Sequence, residues 1–161
     1  MFTESTLYSL QFLATSDVFG IQEYADYIST ASPRAVTTTN DVTFWMGKDK
    51  FYAYSGRVTT LDCDVRQYIF ENMNFTQLSQ VICGANEKWN EVWWFYPSTQ
   101  DSTGEISRYV IYNYLENTWS IGELVRTAWL DEDVFTAPLA TENGYLYNQE
   151  TGEDNDGSPM D

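Results

Sequence analysis

Apolar and polar positions along this chain follow strand periods almost throughout. Residues 7–14 mix aliphatic, aromatic and polar side chains in an extended-compatible run, and residues 34–39 are rich in β-branched side chains. Asn40-Asp41 then makes a tight turn into Val42-Thr43-Phe44-Trp45-Met46-Gly47. Lys48-Asp49-Lys50 turns into Phe51-Tyr52-Ala53-Tyr54, and Ser55-Gly56 turns again into residues 58–61. The pattern predicts three or four short antiparallel strands joined as a meander. Residues 17–33, between the first run and the meander, are mixed and predict no regular element.

One segment carries a helical period. Asp64 is placed to cap it with Gln67 at the capping-box position, Val65, Tyr68, Ile69 and Met73 fall on one face, and Asn72 and Asn74 end it. Strands resume at residues 80–85 and at Glu91-Val92-Trp93-Trp94-Phe95-Tyr96, stopped by Pro97. Because the second run is apolar on both faces, it is expected at the centre of a sheet. After a polar loop over 97–105 comes a hairpin: Tyr109 to Tyr112 extended, Glu116-Asn117 as the turn, and Thr118-Trp119 restarting. Tyr112 and Trp119 can meet across that pair, a contact worth roughly 0.2–1 kcal/mol beyond burial. Further strands are expected at 124–130, 138–141 and 145–147, the last two around an Asn143-Gly144 turn. Residues 150–161 are acidic and Gly/Pro-punctuated, and are expected to be a mobile tail.

Three stretches share a shape: Phe44 to Gly47 turning into Phe51 to Tyr54, Val92 to Tyr96 looping into Tyr109 to Tyr114, and Leu139-Ala140 turning into Tyr145 to Tyr147. Their starts lie roughly 45 to 50 positions apart, near the period of propeller blades. The fold expectation is therefore all-β and mainly antiparallel, a partial β-propeller of about three kelch-like blades with one short helix. Trp45, Trp93, Tyr112, Trp119 and Trp129 are the expected blade-core residues. Blades pack only on their neighbours, so three need further blades or partner chains to close a ring. Residues 1–161 are accordingly expected to be one fragment of a larger propeller domain.

Composition narrows the chemistry. Aromatic residues make up 17% of the 161 positions, ample core material for an ordered domain. Lys and Arg number 8 against 24 Asp and Glu, a net charge of −16 that repels phosphate backbones and disfavours tight wrapping of nucleic acid. His is absent, which removes Ser/His/Asp and Cys/His nucleophiles and imidazole-bearing zinc sites. Cys63 and Cys83 have no CxxC spacing, and read as two small buried thiols or one disulfide. Residues 1–6 have no basic lead, and no apolar run approaches the ~20 residues of a membrane helix, so neither a secretory signal nor a membrane span is expected.

Carboxylates are the remaining acid/base groups. Asp64 with Glu91 would make a glycosidase pair, with Trp93 or Trp94 as a sugar platform. A helix cap and a strand-end charge account for the two carboxylates without chemistry, and two adjacent Trp residues on a strand face opposite sides. Gly152-Glu153-Asp154-Asn155-Asp156-Gly157 has the look of a calcium loop but puts Gly at the first ligand position and lacks the closing bidentate Glu. Gly-rich phosphate cradles are missing, and Arg34, Arg57, Arg66, Arg108 and Arg126 are scattered singly. No cofactor and no metal is expected.

Taken together, residues 42–56, 91–98, 108–119 and 126–131 resemble a run of motifs in tail and head-completion proteins of short-tailed bacteriophages, in particular packaged-DNA stabilisation and tail-hub proteins. The resemblance spans roughly residues 17 to 160, in the same order. It implies a propeller-containing structural subunit of the virion, a tail nozzle or hub that assembles with copies of itself as a ring beneath the portal. Such a subunit contacts portal, adaptor and other tail proteins, holds packaged DNA without catalysis and carries receptor-binding appendages. It would be made in the host cytoplasm and carried in the phage tail. An acid-lined channel suits a conduit through which DNA slides. The resemblance supplies no catalytic residues. Two other functions fit the residues: a carbohydrate-binding or glycan-cleaving propeller, and a kelch-like protein-interaction module.

Overall fold

The computed structural model describes residues 1–161 apart from 2, 4, 15–17, 133–134, 153, 156–157 and 160–161. It is mainly antiparallel β, with few and short helices. The N-terminal hairpin pairs β1 (Thr6–Phe12) with β2 (Phe19–Asp26). A four-stranded meander follows: β3 (Val36–Thr39), β4 (Val42–Met46), β5 (Phe51–Tyr54) and β6 (Val58–Leu61). The second meander is β7 (Ile82–Asn86), β8 (Glu91–Pro97), β9 (Ile106–Asn113) and β10 (Thr118–Glu123). The third has three strands, β11 (Ala128–Leu130), β12 (Leu139–Glu142) and β13 (Tyr145–Asn148). A two-residue ladder between β14 (Asp154–Asn155) and β15 (Ser158–Pro159) ends the described chain.

The turns explain the meanders. Asn40 and Asn143 open two-residue turns at φ 48°, followed by Asp41 at 61° and Gly144 at 83°. Positive φ at both central residues matches the twist of an antiparallel pair, and Asn, Asp and Gly tolerate it best. The strands equivalent by repeat, β4 with β5, β8 with β9 and β12 with β13, are the second and third of each meander. The three first strands begin at evenly spaced positions, Val36, Ile82 and Ala128.

Apolar faces meet between successive sheets. Leu7 and Ile28 at the hairpin end pack on Trp45 and Tyr52. The largest cluster joins Phe44, Met46 and Phe51 of the first meander to Val92, Trp94, Tyr96 and Val110 of the second. Ile82, Trp93, Phe95 and Ile106 then pack with Trp129 of the third. As expected, β8 is central and buried along almost its whole length on both faces.

The structure corrects several expectations. The described strands form separate sheets, none of which closes on itself. Residues 17–33 contain a strand, β2, which sequence pattern misses because it is mostly exposed and carries Gly20, Gln22 and Glu23. Helix α1 (Arg66–Asn72) is capped at Val65 without a side-chain hydrogen bond, so Asp64 is no cap, and Tyr68 is exposed. Asn74 instead caps the 3₁₀ segment Phe75–Gln80, accepting from Thr76 N at 3.2 Å. The strand expected over 124–130 shortens to Ala128–Leu130. The expected mobile tail and calcium-like loop fall partly on residues 153, 156–157 and 160–161, outside those described.

Candidate functional site

The residues singled out by sequence lie at the joints between sheets. Trp45 is fully buried, stacks on Tyr52 at 5.2 Å and donates from Nε1 to the Ser29 carbonyl. Tyr112 and Trp119 are cross-strand partners with ring centroids 4.5 Å apart. Trp119 also reaches Phe51 of the first meander at 4.7 Å, and its Nε1 donates to the Asp62 carbonyl. Trp93 and Trp94 do face opposite ways. Trp94 is fully buried against Phe51 and donates to the Ala35 carbonyl, whereas Trp93 stacks on Trp129 at 5.6 Å.

A tighter constellation, which no local motif announces, ties the three first strands together. β7 is an edge strand, and at Ala85 its outward backbone groups are both met by side chains two positions apart. Ala85 N–H donates to Asp131 Oδ1 at 2.6 Å, and Trp129 Nε1 donates to the Ala85 carbonyl at 3.3 Å. Thr37 of β3 donates to the other Asp131 oxygen, and Thr39 donates to Glu87 at 2.8 Å. Side chains thus do what a neighbouring strand would do for an exposed ladder edge. Burial pushes the Asp131 carboxyl above the usual carboxylate range, the Ala85 and Thr37 hydrogen bonds oppose that, and Glu87 adds to it.

The imagined acid pair is not assembled. Glu91 accepts from Trp93 Nε1 at 3.0 Å and so lies on the Trp93 side of the second meander, its carboxyl raised by burial. Asp64 lines an open groove with Tyr112, on the opposite side. Trp94 cannot be a sugar platform because no part of it is exposed. The groove itself, about 690 Å³, brings Asp62, Asp64 and Asn117 beside the edges of Tyr112 and Trp119.

Both cysteines are free thiols. Burial pushes the Cys63 thiol up to about 12, and burial with Asp131 nearby holds Cys83 well above its ordinary value. Among the described residues no cluster of three or more Cys, Asp or Glu is arranged to hold a metal, and no helix is long and apolar enough to cross a membrane. Four of the arginines are occupied singly. Arg126 is buried, pairs with Glu142 at 2.8 Å and lies 4.8 Å over the Tyr147 ring, while Arg108 pairs with Glu123 and Asp101. Arg34 and Arg66 donate to backbone carbonyls of Ser79 and Asp49. No protein-family model and no curated protein matches the chain.

Proposed function

We propose that this chain is a structural subunit that works by packing and not by catalysis: a part-propeller built to associate with copies of itself, as in the nozzle or hub of a short-tailed phage tail beneath the portal. The observation that carries the reading is where the aromatic residues go. Trp45, Trp93, Trp94, Trp119 and Trp129, which would otherwise be candidates for ligand platforms, are engaged in the joints between successive sheets, Trp45 through its packing with Leu7 and Ile28. The even spacing of β3, β7 and β11 supports treating the three meanders as blade-like units. The stack has two uncovered ends, and a ring requires that they be covered. The net charge of −16 supports a conduit that lets packaged DNA slide. Negative-stain electron microscopy of the purified full-length protein tests this: rings of uniform diameter are expected, and particles of monomer size alone would overturn it.

A second reading is favoured by the groove alone. Carboxylates and an amide beside aromatic edges suit hydroxyl-rich ligands, so a glycan would bind at Asp62, Asp64, Asn117 and Trp119. A glycan array with signal for the native protein and none for Asp64→Ala would support it, and an array without signal would remove it.

A further inference from the structure

Both ends of the sheet stack present exposed and largely apolar faces. At one end is the β1–β2 hairpin, where Leu10 pairs with Ile21 and Phe12 with Phe19. Directly opposed residues share a face, and these four are 53%, 67%, 71% and 59% exposed in that order. With Phe side chains offering 150–250 Å² each, the four present on the order of 500 Å², a large part of the roughly 800 Å² per partner in a specific interface.

At the other end is the third sheet. Trp129, Ala140 and Tyr147 are cross-strand partners, and Trp129 points at Trp93 of the second meander. Strand alternation therefore turns Leu130, Leu139 and Leu146 to the other side. Leu130 is 52% exposed and Leu146 64%.

We propose that the outer face of the third sheet in one copy packs on the hairpin face of a second copy, a head-to-tail contact that continues the stack from chain to chain. Two features of the molecule select a second copy as the occupant. Every joint inside the stack is an apolar sheet face laid on the next, and this contact repeats that joint across chains. Each copy also carries a charge of −16, so copies repel over most of their surfaces, whereas at this contact the strand positions of the third-sheet face bring no acid and those of the hairpin face only Glu23, opposite Tyr8 and away from the Phe12–Phe19 end. A heterologous contact of this kind closes a ring where its rotation permits and otherwise grows a filament. The inference rests on the self-assembly reading above and names its contact.

Sedimentation velocity across the micromolar range tests it, with two double variants, Phe12→Ser/Phe19→Ser and Leu130→Ser/Leu146→Ser. All four residues are exposed, and matching thermal midpoints verify the folds. Ile21→Thr and Leu146→Thr, which keep strand propensity, replace either double variant that melts early. The wild type is expected to form oligomers and each variant alone to sediment as a monomer. An equimolar mixture of the two variants should give a heterodimer and nothing larger, because each retains one intact face. A third-sheet variant that still dimerises by itself would overturn the head-to-tail contact in favour of hairpin-to-hairpin pairing. Variants that assemble like the wild type would overturn the contact and leave the self-assembly reading standing. A wild type monomeric at every concentration would overturn both.

Discussion

Gly84 is a glycine because Trp129 occupies the space a Cβ would need: a methyl there would meet the indole Cδ1, Cγ and Nε1. The indole cannot yield cheaply, since it stacks on Trp93 and donates to the Ala85 carbonyl. Gly84→Ala is expected to destabilise the fold by about 1–3 kcal/mol, as overpacking of a filled core does, and Trp129→Ala by about 3–5 kcal/mol through the cavity it leaves. In the Trp129→Ala background the glycine change should be almost silent, and a double-mutant cycle by urea denaturation reads that coupling. Additive effects would show that the two residues do not share the space. The cysteines give a second residue-scale prediction. With the Cys63 thiol near 12 and Cys83 well above its ordinary value, little thiolate exists at neutral pH. Iodoacetamide should therefore label the native protein at least tenfold more slowly than the urea-unfolded chain, and equal rates would contradict the burial. That Trp93 and Trp94 face opposite sides was legible from alternation alone. Which partner each meets was not, because Phe51 and Trp129 come from distant parts of the chain.

Edge strands decide much at the scale of elements. β7 is held at Ala85 by a carboxyl and an indole from β11 and its exit, and the protonation of Asp131 couples that joint to pH. Burial raises the folded-state pKa of Asp131, and likewise of Glu91, above the unfolded value. The folded protein then holds protons at pH values where the unfolded chain has released them. This contribution to stability is present in full below the unfolded pKa and is lost as pH rises through the folded value. The thermal midpoint is expected to climb as pH is lowered from 7 to about 5, approaching the usual carboxylate range. Asp131→Asn, which keeps an acceptor for the Ala85 N–H, should flatten part of that slope. Scanning calorimetry at several pH values measures it, and a midpoint that falls on acidification would refute the assignment. The elements themselves were legible wherever local chemistry specifies them. The positive-φ turn at Asn40-Asp41 fixes β3 to β4, and the unbroken apolar run places β8 at a sheet centre. β2 was hidden because an exposed strand has no reason to alternate, and α1 starts without Asp64 because no side chain caps it. The Asp131 tie to Thr37 and Ala85 has no local signature, since it joins three separate sheets.

At the scale of the whole molecule the excess of acid sets how the fold responds to its solvent. With 24 carboxylate residues against 8 basic ones, like-charge pairs far outnumber opposite pairs on the surface, and the compact state concentrates that repulsion. The ion pairs seen among the described residues are few. Lys50 with Asp49 is exposed on both sides, a type worth little, whereas Arg126 is buried against Glu142 and is poorly reached by salt. Screening should therefore remove more repulsion than attraction. Raising sodium chloride from about 0.01 M to 1 M shortens the Debye length from about 30 Å to about 3 Å. Each ~1 kcal/mol recovered at the midpoint corresponds to about 2–4 °C for a chain of this size, so a rise of several degrees is expected by circular dichroism melts. Chloride is the appropriate anion, because sulfate would add stability through exclusion from the surface whatever the charge. Arg126→Met removes the buried pair but leaves the surface excess in place, so its midpoint should start lower and climb with salt by a similar amount. A midpoint that fell with salt would mean that attractive pairs, and not the packed aromatic joints, hold the sheets together.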